Sequence, residues 1–202
     1  ALDLGCGAGR STRFLKRLGL NVVGVDASEA MIIEARRSDP DGAYRLIEPN
    51  APLPFPDETF ELLISSWVIV EICEMRRLLN FVMEAARVLS PAGRAFIVAN
   101  TPEFYAGRWV SCEVDFPENR PPLRSGQLVK ARLTPENVVV TDTYWSDEDY
   151  RRVFTQSGLS VVRAWKPVAP PTARSWLDET RVAPFVIYEL RKGAHIPLNP
   201  SG

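Results

Sequence analysis

The amino-acid sequence predicts an α/β fold in which a doubly wound sheet carries helices on both faces. Two observations predict this fold class, one from the first hundred residues and one from the end of the chain. Short apolar runs rich in β-branched residues alternate with helical patterns through the first hundred residues. This alternation is typical of parallel strands joined by right-handed helical crossovers. Two further apolar runs near the end of the chain are expected to close the sheet.

Five strands and three helices are predicted in the first half of the chain from hydrophobic periodicity and turn signals. The strands are residues 2–4, 22–25, 44–47, 60–64 and 94–99. The helices are residues 10–18, ended by Gly19, residues 28–37, capped by Ser28, and residues 74–89, ended by the turn at 90–93. Four prolines between residues 49 and 56 predict a loop or an edge segment.

The regular alternation stops after the fifth strand. Residues 101–143 contain no long helical pattern, but residues 128–133 and 138–143 are predicted to pair as a hairpin. A helix is predicted over residues 146–157, because Ser146 is a suitable N-cap and three acids follow it in the first turn. Residues 159–165 and 184–190 are the two closing strands.

The chain is predicted to be one domain, residues 1–193, with an insertion at 101–143 and a tail at 194–202. Its 202 residues suffice for one sizeable core and hardly for two. An irregular segment longer than about 15 residues inside a compact domain is usually functional. Because Ala1 already lies inside a strand pattern, we expect that an N-terminal segment is missing.

Composition excludes several classes of function. The 24 basic and 25 acidic residues give a net charge of −1, which disfavours nucleic acid or an anionic membrane as a partner. No apolar run approaches the roughly 20 residues that span a bilayer. The three cysteines have neither metal-ligand spacing nor a disulfide framework, so we expect a cytoplasmic protein without a metal. The only histidine, His195, lies in the tail, which argues against a histidine-based triad.

The loop at residues 5–9 is the strongest local signal. Its glycine spacing is G-x-G-x-G, and Arg10 occupies the position where a dinucleotide fingerprint needs glycine or alanine. Asp26 ends the second strand, where its carboxylate can accept both hydroxyls of a ribose and would repel a 2′-phosphate. The loop carries Asp3 and no lysine, so it suits a ligand with a positive amino group better than a pyrophosphate. A simple tight turn is the alternative interpretation.

Four segments resemble motifs of the class I S-adenosylmethionine-dependent methyltransferases of bacterial small-molecule type. They are residues 3–9, 23–28, 53–61 and 88–94, so the resemblance covers about the first hundred residues. The family has a seven-stranded, Rossmann-like sheet that is mostly parallel with an antiparallel last strand, and the closing helix and strands fit it. The resemblance implies S-adenosylmethionine as cofactor, S-adenosylhomocysteine as product and no metal.

The resemblance also implies a role for each matching residue. It places Asp3, Gly5, Gly7 and Gly9 at the methionine part of the cofactor, Asp26 at the ribose, Ala27 and Met31 beside the adenine, Asn50 and Ala51 at the adenine edge, and Ser66 and Trp67 facing the methyl group. Asn50 and Ala51 depart from the family's usual Gly-Asp-Ala. Core packing is the alternative for Met31 and Trp67.

The catalytic and acceptor residues are less defined by the sequence. Glu71 and Tyr105 are the candidates for a general base, with a solvated carboxylate and a packing tyrosine as the alternatives. The insertion is expected to bind the acceptor through Tyr105, Trp109 and Arg108, because its aromatic residues indicate a partly apolar acceptor and its arginines can meet an anionic group. Surface exposure is the alternative for the arginine.

The function expected from the sequence is transfer of a methyl group from S-adenosylmethionine to an unidentified small-molecule acceptor by in-line displacement. An inactive methyltransferase-like module that binds cofactor or another protein is the alternative. A nicotinamide-dependent oxidoreductase is disfavoured by Arg10. A protein acceptor stays open, and the sequence does not indicate the oligomeric state.

Overall fold

The computed structural model describes residues 1–171 and 175–193. Ten strands and five α-helices follow one another along this part of the chain. Their bounds are β1 Leu2–Leu4, α1 Arg10–Arg17, β2 Val23–Asp26, α2 Glu29–Ser38, β3 Ala43–Leu46, β4 Phe60–Ser66, α3 Val68–Glu71, α4 Met75–Val88, β5 Leu89–Asn100, β6 Cys112–Glu113, β7 Gln127–Leu133, β8 Val138–Tyr144, α5 Asp147–Gln156, β9 Leu159–Trp165 and β10 Phe185–Lys192. The tail at 194–202, with His195, lies outside the described residues.

Seven strands form one sheet in the order β3-β2-β1-β4-β5-β10-β9, and β10 runs antiparallel to both of its neighbours. The other pairs are parallel. The predicted α/β fold, with its antiparallel last strand, is therefore confirmed. The strand order reverses between β1 and β4, and ligands of open α/β sheets bind at the carboxyl ends of the strands beside such a reversal.

The main core lies between the large sheet and helices α4 and α5. It is built from apolar side chains that alternate along the strands and repeat at helical spacing on α4 and α5, as the periodicity predicts. Fully buried members include Leu2, Leu63, Val82, Ile97 and Phe154. A large, continuous core of this kind holds the carboxyl edge of the sheet rigid, and the site residues project from that edge.

The insertion after β5 forms a second, smaller sheet in the order β6-β7-β8, with antiparallel pairing. The predicted hairpin is confirmed as β7 and β8, and its register pairs Leu133 with Val138. This sheet has its own core, made by Trp109, Cys112, Val114 and Ala131. Two 3₁₀ turns, Pro102–Ala106 and Pro117–Asn119, complete the insertion.

One local expectation was wrong, and one element was not predicted. Residues 90–93, predicted as a turn, belong to β5, because the strand begins at Leu89 and its register against β4 shifts before Arg94. The short helix α3 was not predicted at all. It begins after Trp67, whose φ of 62° takes the chain out of β4, and it buries Ile69 and Val70. Tertiary burial therefore sets α3, and its four residues are too short for a periodic signal.

Among the described residues, no helix is both long enough and apolar enough to cross a membrane.

Candidate functional site

The loop between β1 and α1 forms the floor of the crevice at the carboxyl edge. Gly5, Gly7 and Gly9 have φ values of 78°, 50° and 78°, in the left-handed region that favours glycine. A Cβ on Gly5 would lie 2.0 Å from Val68 Cγ2, whereas a Cβ on Gly7 would meet no atom within 4 Å. The Gly5 N–H donates to Val25 O over 2.9 Å. The loop is therefore packed against α3 and β2 at Gly5 and open at Gly7.

Asp3 is fully buried beneath this loop. The hydroxyls of Ser11 and Thr12 each donate to Asp3 Oδ2 over 2.6 Å. Asp3 Oδ1 is buried and receives no hydrogen bond from the described part of the chain. Burial raises the pKa of Asp3 although the two hydroxyl bonds lower it. Because an unpaired buried acceptor is costly, a donor supplied by a ligand would stabilise this carboxylate.

Asp26 ends β2 and faces the loop. Asp26 Oδ2 accepts from the Gly7 N–H and Oδ1 accepts from the Ser28 N–H, each over 2.8 Å. These two bonds fix the carboxylate at the crevice. Each oxygen has room for a further bond, since an ionised carboxylate offers about four lone-pair sites.

A cavity of about 450 Å³ opens beside Asp26, a volume within the range of small-molecule sites. Five of the predicted cofactor residues line it, namely Gly5, Asp26, Ala27, Asn50 and Ala51. The opposite wall comes from α3 and α4 and includes Val68, Ile72, Arg77 and Phe81. The structure thus brings the predicted ribose residue and three of the four predicted adenine residues together around one space.

The other predicted cofactor residues lie outside the lining of this cavity. Met31 is exposed on α2, where its backbone N–H donates to Ser28 Oγ at the helix cap. Gly9 precedes α1 and donates to Cys6 O. Ser66 is half-buried at the end of β4 and leads into Trp67, whose side chain is 45% exposed.

Trp67 begins a chain of hydrogen bonds that links the two sheets. Its Nε1 donates to Asn100 Oδ1 over 3.1 Å, and Asn100 is the last residue of β5. Asn100 Nδ2 donates to Tyr105 Oη over 3.0 Å and to Asp142 Oδ2 over 3.2 Å. The Tyr105 hydroxyl donates to the same Asp142 oxygen over 3.3 Å. We call Trp67, Asn100, Tyr105 and Asp142 the Asp142 network.

Burial sets the protonation states in this network. It raises the pKa of Asp142 from 3.8 to about 6, although the bond from Tyr105 opposes the shift. Burial also raises the pKa of Tyr105 well above its usual range, so the phenol stays protonated and acts as a donor. A carboxyl that titrates near neutrality and is held by a fixed donor matches what a general base requires.

Glu71 ends α3, which packs against β8. Partial burial raises the pKa of Glu71, and the negative charges of Asp142 and Asp26 raise it further. None of the ion pairs of the described chain involves these three carboxylates or Asp3. The carboxyl edge of the large sheet therefore carries four acidic side chains without a paired cation, and the negative electrostatic potential there favours positively charged ligands.

The two other predicted acceptor residues lie outside the lining of the cavity. Trp109 is 6% exposed in the core of the small sheet, where it stacks on Phe104 and donates from Nε1 to the Phe104 carbonyl over 2.7 Å. Arg108 is exposed and pairs with Asp178 over 3.5 Å. These surroundings favour packing for Trp109 and a surface ion pair for Arg108, and their acceptor roles stay predictions.

Two residues of this region were missed by the sequence reasoning. Asp142 is an acid inside the β-branched run of β8, and that unusual position is the one signal that could have identified it. Asn100 ends the apolar run of β5, which is the position where parallel strands present ligand-binding side chains. Among the residues that the structure describes, no group of three or more His, Cys, Asp or Glu side chains could hold a metal ion.

Comparisons with known proteins agree with this geometry. Residues 2–97 match a family described as a methyltransferase domain. Over 99 residues the chain is 35% identical to a demethylmenaquinone methyltransferase of Tropheryma whipplei, a match that covers 48% of this chain and 39% of that protein. It is 33% identical over 104 residues to the 18S rRNA (guanine-N(7))-methyltransferase of Bos taurus, covering 48% and 37%. The chain thus matches less than half the length of these relatives.

A solved structure extends the likeness to the whole fold. It is the structure of a putative S-adenosylmethionine-dependent methyltransferase from Listeria monocytogenes, with a TM-score of 0.70 and 18% sequence identity. The superposition covers 96% of this chain and 89% of that one. The shared fold therefore includes the second half of the chain, where the sequence matches stop.

Proposed function

The chain belongs to the class I S-adenosylmethionine-dependent methyltransferases, and from this premise we propose that it transfers a methyl group to a small-molecule acceptor. The acceptor would bind on the insertion side of the Asp142 network, with residues 1–193 acting as one domain. The observation that carries the proposal is the cavity that joins the glycine loop, Asp26 and Asn50 at the reversal of strand order.

The residues present fit the cofactor. Gly7 leaves open space where any side chain would intrude, and the unpaired Asp3 Oδ1 offers an acceptor to an ammonium group or to its water. Asp26 is oriented by two backbone donors and would accept the ribose hydroxyls. Asn50 and Ala51 would meet the adenine edge, with Ala27 beside the ring. Gly5 and Gly9 shape the loop for the methionine part of the cofactor, and Met31 on α2 would lie beside the adenine.

Trp67 and Ser66 would border the reacting centre from the end of β4. S-adenosylmethionine, when bound, supplies a methyl group on a sulfonium, which is already an activated leaving group. The protein therefore has to align the acceptor and exclude water. Trp67 covers the edge with a half-exposed ring, which its bond to Asn100 holds in place. Glu71 and Asp142 are the carboxylates able to take a proton from an acceptor at this edge.

The name of the Tropheryma whipplei relative supports a small-molecule acceptor, and the net charge of −1 supports it further by disfavouring nucleic acid. The rRNA methyltransferase among the relatives marks the alternative. An acceptor screen that follows release of S-adenosylhomocysteine, with quinols, phenols, amines and short RNAs as candidates, decides between these classes.

The cofactor assignment is tested by titrating S-adenosylhomocysteine into the protein by calorimetry. We expect Asp26→Ala to weaken binding tenfold or more, because hydrogen bonds to a charged group contribute about 1.5–3 kcal/mol each. Asp41→Ala is the matched control, since Asp41 is exposed on a turn before β3. Equal affinity in the wild type and both variants, with unchanged circular dichroism, would refute the ribose role.

A further inference from the structure

Asp142 is the one buried carboxylate that the insertion contributes to the edge of the large sheet. It is 6% exposed, and Oδ2 takes both bonds, from Asn100 and Tyr105. No hydrogen bond from the described residues reaches Oδ1. A carboxylate that is held on one oxygen and left free on the other is oriented towards a further partner, and none of the described protein groups provides it.

A second unpaired polar group comes from α5. Tyr150 of α5 is 2% exposed, and its hydroxyl forms no hydrogen bond with the described part of the chain. Burial raises the pKa of Tyr150 and of Tyr105, and the negative charge of Asp142 raises both further. Buried tyrosine hydroxyls usually find a partner. Neither this hydroxyl nor Asp142 Oδ1 is among the unpaired atoms of the described chain that are shut off from solvent. Two accessible acceptors without a protein partner therefore indicate a ligand that donates hydrogen bonds.

The surroundings indicate the charge of that ligand. Aromatic residues belong to the Asp142 network and its neighbours, since the Tyr105 ring contacts Tyr144 edge-on at 6.4 Å and Trp67 is bonded to Asn100. Glu71 adds a second acid from α3, and no lysine or arginine of the described chain pairs with either acid. Aromatic faces and unpaired carboxylates together favour a cation, and they repel an anion.

We propose that Asp142, Tyr150 and the rings of the network form an ammonium-binding subsite, so that the acceptor of the proposed methyl transfer is an amine. The proposal rests on the proposed function and names its substrate class. Asp142 Oδ1 accepts a hydrogen bond from the acceptor nitrogen, and Tyr150 accepts a second. The ring carbons of Tyr105 and Tyr144 face the apolar part of the acceptor.

The chemistry balances at these atoms. The ammonium gives one proton to the Asp142 carboxylate and becomes a neutral amine. Its nitrogen lone pair then forms the bond to the methyl carbon while the carbon–sulfur bond breaks and leaves its electron pair on sulfur. The product is a methylammonium, and the proton on Asp142 passes to solvent. Burial raises the pKa of Asp142 to about 6, which makes the carboxylate a stronger base and still leaves it ionised at neutral pH, so that it can accept that proton.

The test uses the full chain saturated with S-adenosylhomocysteine and two probes of the same shape. Tyramine carries an ammonium on a phenol ring and a two-carbon chain, and 3-(4-hydroxyphenyl)propionate carries a carboxylate on the same frame. Calorimetric titration should show binding of tyramine and none of the acid. We expect tyramine affinity to fall as the pH drops through about 6, since Asp142 then becomes neutral. The other titratable groups that interact electrostatically with Asp142 are Glu71, Tyr105, Tyr150 and Cys112.

Two variants locate the subsite. Asp142→Asn should lower tyramine affinity at least tenfold, and Tyr150→Phe should lower it several-fold while the ring stays in the core. Asp115→Asn, an exposed acid of the same insertion, is the matched control and should bind as the wild type does. Equal binding of both probes, binding of neither, or wild-type affinity in Asp142→Asn and Tyr150→Phe would overturn the proposal. Failure of S-adenosylhomocysteine itself to bind would overturn the proposed function instead.

Discussion

Asp142→Asn is expected to make the protein more stable above neutral pH, because the wild type buries a charge there. Burial raises the pKa of Asp142 from 3.8 to about 6. A shift of about two pH units corresponds to ~3 kcal/mol of unfolding free energy at most. The new amide keeps the acceptor oxygen for Asn100 and Tyr105, but its two donors need partners, which costs about 1–3 kcal/mol.

The sign of the pH dependence follows from the direction of the shift. Since the folded pKa is raised, the unfolded chain loses its proton first as the pH rises. The wild type therefore loses this part of its stability between about pH 4 and pH 6 and does not regain it. Asp142→Asn has no such loss. The cost of the unpaired amide does not depend on pH, so the change in the stability gap across this window isolates the ionisation of Asp142.

The assay is urea unfolding of the wild type and Asp142→Asn at about pH 4 and pH 8, with Asp115→Asn as control. We expect the gap in unfolding free energy to grow by ~2–3 kcal/mol in favour of Asp142→Asn as the pH rises. At about pH 8 a net gain of up to about 2 kcal/mol would raise the Tm by up to ~8 °C for a chain of this size. Parallel stability curves for the two proteins would show that the pKa of Asp142 is the same in the folded and unfolded states, and the buried-charge reasoning would fail.

Two further predictions concern the loop and the insertion. Gly5→Ala should lower both stability and S-adenosylhomocysteine affinity, because its Cβ would lie 2.0 Å from Val68 Cγ2 and displace α3. Gly19→Ala, at a φ of 85° with open space around it, should cost about 1–2 kcal/mol of stability and leave the affinity unchanged. Equal effects of the two variants on affinity in calorimetry would count against the packing of the loop on α3. Trp109→Ala should lower the free energy of unfolding in urea by about 3–5 kcal/mol and keep the cofactor affinity, since the ring fills the core of the small sheet. A normal Tm with weakened acceptor binding would support the acceptor role instead.

The first hundred residues could be predicted closely because their signals are local. The strand before the glycine loop, the helix after it and the acid at the end of β2 each follow from a few neighbouring residues. Periodicity likewise predicted α4, which the structure bounds as Met75–Val88. Predicting these elements requires no information about contacts between residues that are distant in the sequence. The predicted cavity residues Asp26, Asn50 and Ala51 converge because strands of a parallel sheet end at the same edge.

The rest of the site could not be predicted because it is made by distant contacts. Asp142 and Asn100 are 42 residues apart, and nothing in either segment specifies their pairing. The helix α3 depends on a backbone turn at Trp67 and on burial against other elements. For the same reason Trp109 is predicted to bind the acceptor from its residue type, although its contacts place it in the core of the small sheet.

The Asp142 network gives a reason why the insertion carries a buried acid, Asp142, that lowers the stability of the fold. A buried carboxylate without a cation raises the free energy of the folded state, and an apolar or amide side chain at residue 142 would avoid that cost. The cost is accepted where activity needs a poised group, which is the usual conflict between stability and function at active sites. Because Trp67 and Asn100 tie this acid to the ends of β4 and β5, a ligand that neutralises Asp142 would also stabilise the junction of the two sheets. Binding of an amine should therefore raise the unfolding temperature of the wild type more than that of Asp142→Asn. That difference would show that Asp142 contributes to the binding free energy of the acceptor.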